Sequence, residues 1–149
     1  MTGVYIIKKI VTIVIFVCSS KYDALYHEIP NKFSIVLMII GVADRLSRIK
    51  ENGDVTNGLI IPILFITLFY SILYFLSFGG IGGGDVKLLM GLGISEGYWC
   101  SIWCFVIAAL LFIIVRLMKA VNNKKSIVER YPLSPYLLVA YIVRICVIR

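Results

Sequence analysis

Charged residues are scarce in this sequence. Asp, Glu, Lys and Arg make up 15% of its 149 residues, well below the roughly 25% usual for soluble domains, while hydrophobic residues make up 60%. The longest polar stretch covers residues 119–132, so we expect no separate soluble domain and one membrane domain over residues 1–149. This composition predicts an all-α, polytopic membrane protein whose constant partner is the lipid bilayer.

The sequence also lacks the groupings that metal and disulfide sites need. It has one histidine and four cysteines, and no two cysteines form a CxxC pair. Zinc sites and disulfide frameworks depend on such paired spacings, whereas a cysteine in an apolar segment usually packs as a small hydrophobic side chain. We therefore expect no metal and no cofactor.

Long apolar runs are abundant. Residues 57–78 and 97–115 carry no charge, and each is about as long as the ~20 residues that cross a hydrocarbon core. Four further apolar segments are shorter or interrupted by charge: residues 4–20, 33–43, 86–94 and 133–148. We expect six transmembrane helices, of which the second and fourth are short. The first segment has no small-residue cleavage site after it, so we expect it to be retained.

The basic residues indicate an orientation in the membrane. The net charge is +7, but these residues lie at the ends of apolar segments, where they act as topology signals rather than as nucleic-acid contacts. The strongest basic cluster, within residues 116–130, predicts a cytoplasmic loop. Counting crossings from it places residues 21–32 and the glycine-rich stretch 79–84 on the same side.

Two aspartates are predicted on that side, each where an apolar helix meets a short connection. The first helix is expected to end near residues 19–21, just before Asp23, and Asp85 directly follows the glycine-rich stretch. A carboxylate beside membrane-depth helices is unfavourable and indicates a function. Two close carboxyl groups can share a proton, so that one activates water while the other polarises a peptide carbonyl. The alternative is that Asp85 only caps the fourth helix.

Neighbouring residues suggest the local structure around these aspartates. Pro30 disfavours a helical residue before it, and Asn31 is a favourable N-cap for the second helix. Lys87 lies two positions after Asp85, and its long side chain can extend to the membrane interface. Residues 45–57 are expected to form a polar loop on the opposite side, preceded by Asp44, which is spaced for a surface ion pair with Arg48.

These motifs resemble the type IV prepilin leader peptidases, a family of GxGD membrane aspartic proteases. Residues 23–31, DALYHEIPN, are similar to the first-aspartate motif of that family, with its Ile-Pro-Asn turn. Residues 82–89, GGGDVKLL, resemble its GxGD motif with the usual continuation. Residues 132–137, PLSPYL, are similar to the start of its last helix. The resemblance extends over nearly the whole chain.

The resemblance implies specific roles for these residues. Asp23 and Asp85 would be the catalytic pair, on the cytoplasmic side of the plasma or inner membrane. The active-site loop would contain Gly82, Gly83 and Gly84, and the supporting residues would be Pro30, Asn31 and Lys87. The substrate would be a pilin-like precursor, whose short basic leader is removed, commonly after a glycine.

The same resemblance sets limits on the activity. Larger members carry a cytoplasmic methyltransferase domain, often with paired CxxC motifs, whereas this sequence is similar to the short peptidases of tight-adherence (Flp) pili and archaeal preflagellins. GxGD also occurs in presenilins, but six helices are too few for those enzymes. The alternative function is a non-enzymatic assembly component or a small proton- or ion-coupled transporter, in which the aspartates would bind a proton, an ion or a partner. The oligomeric state is left open.

Overall fold

The computed structural model describes residues 2–26, 28–52, 55–77, 81–122 and 133–147. Within these ranges the regular elements are α-helices, joined by one π-helical turn and short connections. The six α-helices are α1 (Thr2–Tyr26), α2 (Asn31–Asn52), α3 (Ile61–Leu76), α4 (Gly83–Glu96), α5 (Tyr98–Asn122) and α6 (Ser134–Val147), with the π-helical turn at Thr56–Ile60. The described residues therefore confirm the prediction of an all-helical fold.

Two helix boundaries differ from those predicted. α1 continues through Tyr26, so Asp23 lies within the helix and not beyond its end. α2 is 22 residues long and begins at Asn31 itself, so the second helix is not short. Residues 45–52, predicted as loop, extend it because Arg, Lys and Glu favour helix and Arg45 is held by contacts with α4 described below. The fourth helix is short as predicted, with 14 residues spanning about 21 Å.

Two helices have the length and composition needed to cross a membrane. They cover Gly58–Leu76 and Tyr98–Met118, and only 11% and 22% of their most apolar windows are buried inside the protein. A core helix of a soluble protein would be mostly buried, whereas these two leave most of their apolar side chains on the outside. Their positions match the two uncharged runs seen in the sequence.

The short helix α4 lies at the centre of the bundle. It packs against α2, α3 and α5, and most of its residues from Asp85 to Ser95 are buried. Its contact with α2 depends on glycine: a Cβ on Gly41 would lie 2.6 Å from the backbone N of Ser95, and a Cβ on Gly91 would lie 2.9 Å from Cβ of Leu37. The two backbones can approach this closely only because glycine has no side chain.

A buried lysine on α1 holds the C-terminal end of α4. Lys8 is 7% exposed, and its Nζ donates to Asp44 Oδ2 at 2.9 Å and to the carbonyl oxygen of Ser95. The same Nζ lies 3.6 Å from Glu96 Oε1. The side chain of Arg48, the predicted partner of Asp44, lies outside the described residues, and the partner that the structure describes for Asp44 is the buried ammonium of Lys8 on α1.

A second cation binds the same end of α4 from α2. Arg45 Nε donates to the carbonyl of Ile94 at 2.8 Å, and its Nη1 donates to the carbonyl of Gly58 at 3.0 Å. The last carbonyls of a helix have no partner within the helix and form its negative pole. Lys8 and Arg45 therefore satisfy the end of α4 that lies farthest from Asp85.

We expect Lys8→Met to destabilise the fold by about 3 kcal/mol, because it leaves the carboxylates of Asp44 and Glu96 without their buried cation. The measurement is the unfolding midpoint of the purified protein in detergent. Lys32→Met is the matched control, since Lys32 is exposed. Equal midpoints for the two variants would show that the Lys8 cluster does not anchor α4.

Candidate active site

Asp23 and Asp85 are both buried at the same end of the bundle. Asp23, near the end of α1, is 5% exposed, and Asp85, in the first turn of α4, is 7% exposed. Burial, and then the nearby charge of Asp23, raises the pKa of Asp85 from 3.8 to about 7. Asp85 precedes the apolar part of α4 and lies outside the two helices that are long enough to cross a membrane. The sequence predicts that both carboxyl groups emerge on the same side, and in the structure the charge of Asp23 acts on Asp85.

Asp85 does not act as the cap of its helix. The N-cap residue is Gly82, with extended backbone (φ −63°, ψ 135°) and no side-chain cap hydrogen bond. Asp85 Oδ1 is buried and has no hydrogen-bond partner among the described residues. A buried oxygen without a partner is unfavourable, so helix capping does not explain why a carboxyl group stands here.

The N-terminus of α6 contacts the other aspartate. The backbone N–H of Ser134, the first residue of α6, donates to Asp23 Oδ2 at 3.1 Å, and Ser134 is fully buried. Its hydroxyl lies 3.4 Å from that of Ser19 on α1. The first N–H groups of a helix lack partners within it, and a negative charge there is favourable. Sequence reasoning missed Ser134, although the proline-flanked start of the last helix was predicted on this side.

The glycines before Asp85 provide space rather than unusual backbone angles. Among the described glycines, only Gly97 has a positive φ. A Cβ on Gly84 would lie 2.8 Å from Cβ of Ile29, and a Cβ on Gly82 would lie 2.9 Å from Asp85 Oδ2. Gly82 and Gly84 are thus needed for close approach. Gly79 and Gly80 lie outside the described residues.

Gly83 is different from its two neighbours. A Cβ there would lie 3.8 Å from Cε2 of Tyr74, which is an ordinary van der Waals distance. The three glycines predicted together as the active-site loop therefore differ in how much a side chain would disturb them.

The supporting residues predicted from the sequence form a link between the two motifs. Lys87 Nζ donates to Asn31 Oδ1 at 3.0 Å, and both residues are exposed. The carbonyl of Pro30 accepts from the N–H of Phe33 at 3.2 Å in the first turn of α2. Lys87 therefore connects α4 to the start of α2. Within the described ranges, no three His, Cys, Asp or Glu side chains come together as a metal site would require.

The family model for the type IV leader peptidase family matches residues 10–117. The chain belongs to this family. Searches of curated proteins and of solved structures gave no match. The matched residues include both aspartates and the whole of α4, while Ser134 lies beyond them. Membership in the leader peptidase family implies a membrane-associated protease that acts on pilin-like precursors.

The glycines of this leader peptidase offer a graded test of the site. We expect Gly84→Ala to reduce precursor cleavage strongly, because its Cβ would displace Ile29, and Gly82→Ala to do so by displacing the Asp85 carboxyl group. The measurement is the initial rate of precursor cleavage in membranes at matched protein levels.

Gly83→Ala is the matched control and should lose much less activity than the other two variants, since its Cβ has room. Equal losses of cleavage activity in all three variants would contradict this interpretation. They would show that the loop conformation requires glycine at each position, whether or not a Cβ has room there.

Proposed function

We propose that this protein is an aspartic endopeptidase that removes the basic leader from pilin-like precursors, with Asp23 and Asp85 as a catalytic dyad. The observation that carries the proposal is the burial of two carboxyl groups, near enough for the charge of one to raise the pKa of the other. Such a pair is unfavourable for stability, and it has the protonation behaviour that acid–base hydrolysis needs.

The proposed chemistry follows from one proton held between two carboxyl groups. At neutral pH an ordinary aspartate pair would be fully ionised and could not donate a proton. A pKa of about 7 for Asp85 allows one carboxylate to activate water while the other, protonated, polarises the peptide carbonyl. The titration belongs to the pair when the two groups interact strongly.

The proposed orientation has the aspartates facing the cytoplasm. The start of α6 lies at the same end of the bundle as the two aspartates, because Ser134 contacts Asp23 and the charge of Asp23 acts on Asp85. The strongest basic cluster of the sequence, within residues 116–130, covers the last part of α5 and the chain that follows it, and such clusters are retained on the cytoplasmic side. The substrate would then be a membrane-anchored helix with its leader in the cytoplasm, as in tight-adherence pilins or archaellin-like precursors.

The dyad predicts that Asp23→Asn and Asp85→Asn each reduce cleavage by at least about a hundredfold, because an amide can neither hold nor pass the catalytic proton. The assay follows processing in membranes of a pilin-like precursor with a basic leader ending in glycine. Glu28→Gln makes the same change of carboxylate to amide at an exposed position and serves as the control.

Survival of processing in either aspartate variant, with the protein folded and inserted, would rule out the dyad. The aspartates would then have to be reconsidered as an ion or partner site in a non-enzymatic membrane component.

The pH dependence provides a separate test. If Asp85 must carry the proton, cleavage should fall as the pH rises through about 7, because the deprotonated pair has no acid to polarise the carbonyl. The measurement is kcat/KM against pH for purified enzyme in detergent, with circular dichroism to show that the fold persists. An activity that stays constant well above this pH would contradict the proposed role of the Asp85 proton.

A further inference from the structure

We propose that the two carboxyl groups have fixed and different roles: the N-terminus of α6 holds Asp23 as the carboxylate that activates water, and Asp85 is the acid that carries the proton. This assignment rests on the proposed dyad and adds to it. In it, Ser134 is a positioning residue that acts through its backbone N–H.

The contacts of Asp23 favour its charged form. The Ser134 N–H donates to Asp23 Oδ2 at 3.1 Å, and this donor is the first residue of a 14-residue helix. A hydrogen bond to a carboxylate and the positive end of a helix both favour the charged form. The donor is fully buried, so water competes little for it and the preference is retained.

The surroundings of Asp85 have the opposite effect. Its Oδ1 is buried and accepts no hydrogen bond from any described residue. It lies in the first turn of α4, where the helix dipole favours a negative charge, but no N–H group of the described residues donates to this buried oxygen. A buried carboxyl group without donors is more stable when it is protonated.

Among the described residues, neither Lys87 nor Lys8 reverses this asymmetry. Asp23, on α1, is the charged neighbour that acts on Asp85, and its negative charge favours the protonated form of Asp85. Lys87, on the same helix as Asp85, donates to Asn31 at the exposed surface. The buried cation of α1, Lys8, is engaged at the far end of α4, about 22 Å along α1 from Asp23 at 1.5 Å per residue.

The assigned roles give a balanced reaction. Asp23 removes a proton from water as the water oxygen bonds to the carbonyl carbon, and Asp85 gives its proton to the carbonyl oxygen, forming a tetrahedral diol. As the C–N bond breaks, Asp23 passes the proton it took from water to the leaving nitrogen. Asp85 recovers a proton from one hydroxyl of the diol, and the enzyme returns to its starting state.

The direct test is infrared spectroscopy of the full-length protein, labelled with ¹³C in its aspartate carboxyl groups and measured without substrate at mildly acidic pH. We expect a carbonyl band from a protonated aspartate in the wild type. This band should be lost in Asp85→Asn and retained in Asp23→Asn, because burial alone keeps Asp85 protonated. Any other pattern, including loss of the band in both variants, would overturn the fixed roles.

This test separates the assignment from the proposed function. If both asparagine variants lack cleavage but the band follows Asp23, the dyad stands and the roles are reversed. If either variant retains cleavage, the dyad itself fails, whatever the infrared spectrum shows.

The role of Ser134 is tested by removing its N–H without adding atoms. Replacing the amide of residue 134 by an ester, through incorporation of the α-hydroxy acid, deletes the donor, and Ser134→Ala is the control that keeps the N–H and removes only the hydroxyl. The probe is the same pilin-like precursor with a basic leader ending in glycine.

We expect the acidic limb of the pH–kcat profile to move to higher pH by about one unit in the ester variant and to stay in place in Ser134→Ala. A lower kcat with an unmoved acidic limb would show that Ser134 is only structural and would overturn its positioning role.

Discussion

Two acidic side chains buried close together are the constraint around which this bundle is built. Removing a carboxylate from water is unfavourable, and a second one beside it adds repulsion. The fold lowers that cost in two different ways: the start of α6 donates an N–H to Asp23, and protonation becomes favourable at Asp85. The structure therefore keeps both groups buried, and the proton held by Asp85 is available for chemistry.

The position of Asp85 depends on α4, which is fixed at both of its ends. At the C-terminal end, Lys8 and Arg45 bind the last carbonyls of the helix. At the N-terminal end, Lys87 reaches Asn31, and Gly84 allows Ile29 to approach. Between these ends, glycine contacts with α2 bring the two backbones together. A helix of only 14 residues is thus held in register with its longer neighbours.

The two ends of α4 use charge in opposite ways. The end at Glu96 collects cations: Lys8 and Arg45 donate to helix carbonyls, Lys8 also donates to Asp44, and its ammonium lies 3.6 Å from Glu96 Oε1. At the other end, Asp85 Oδ1 has no hydrogen-bond partner and Asp85 forms no ion pair among the described residues. Buried polar groups are usually satisfied, and the exceptions call for an explanation. Here the difference separates an anchoring cluster from a candidate catalytic centre within one helix of 14 residues.

The sequence by itself determined the helical class, the two uncharged spans, and the expectation that Asp23 and Asp85 emerge on the same side, because hydrophobic length and the parity of crossings are properties of the chain. It could not determine that residues 45–52 remain helical, that Lys8 binds Asp44, or that Ser134 donates to Asp23. The contact between Lys8 and Asp44 joins residues that are 36 positions apart in the sequence, and the contact between Asp23 and Ser134 joins residues that are 111 positions apart. Only the tertiary packing determines these contacts, because a polar side chain or a helix end binds whichever partner the assembled bundle brings within hydrogen-bond distance.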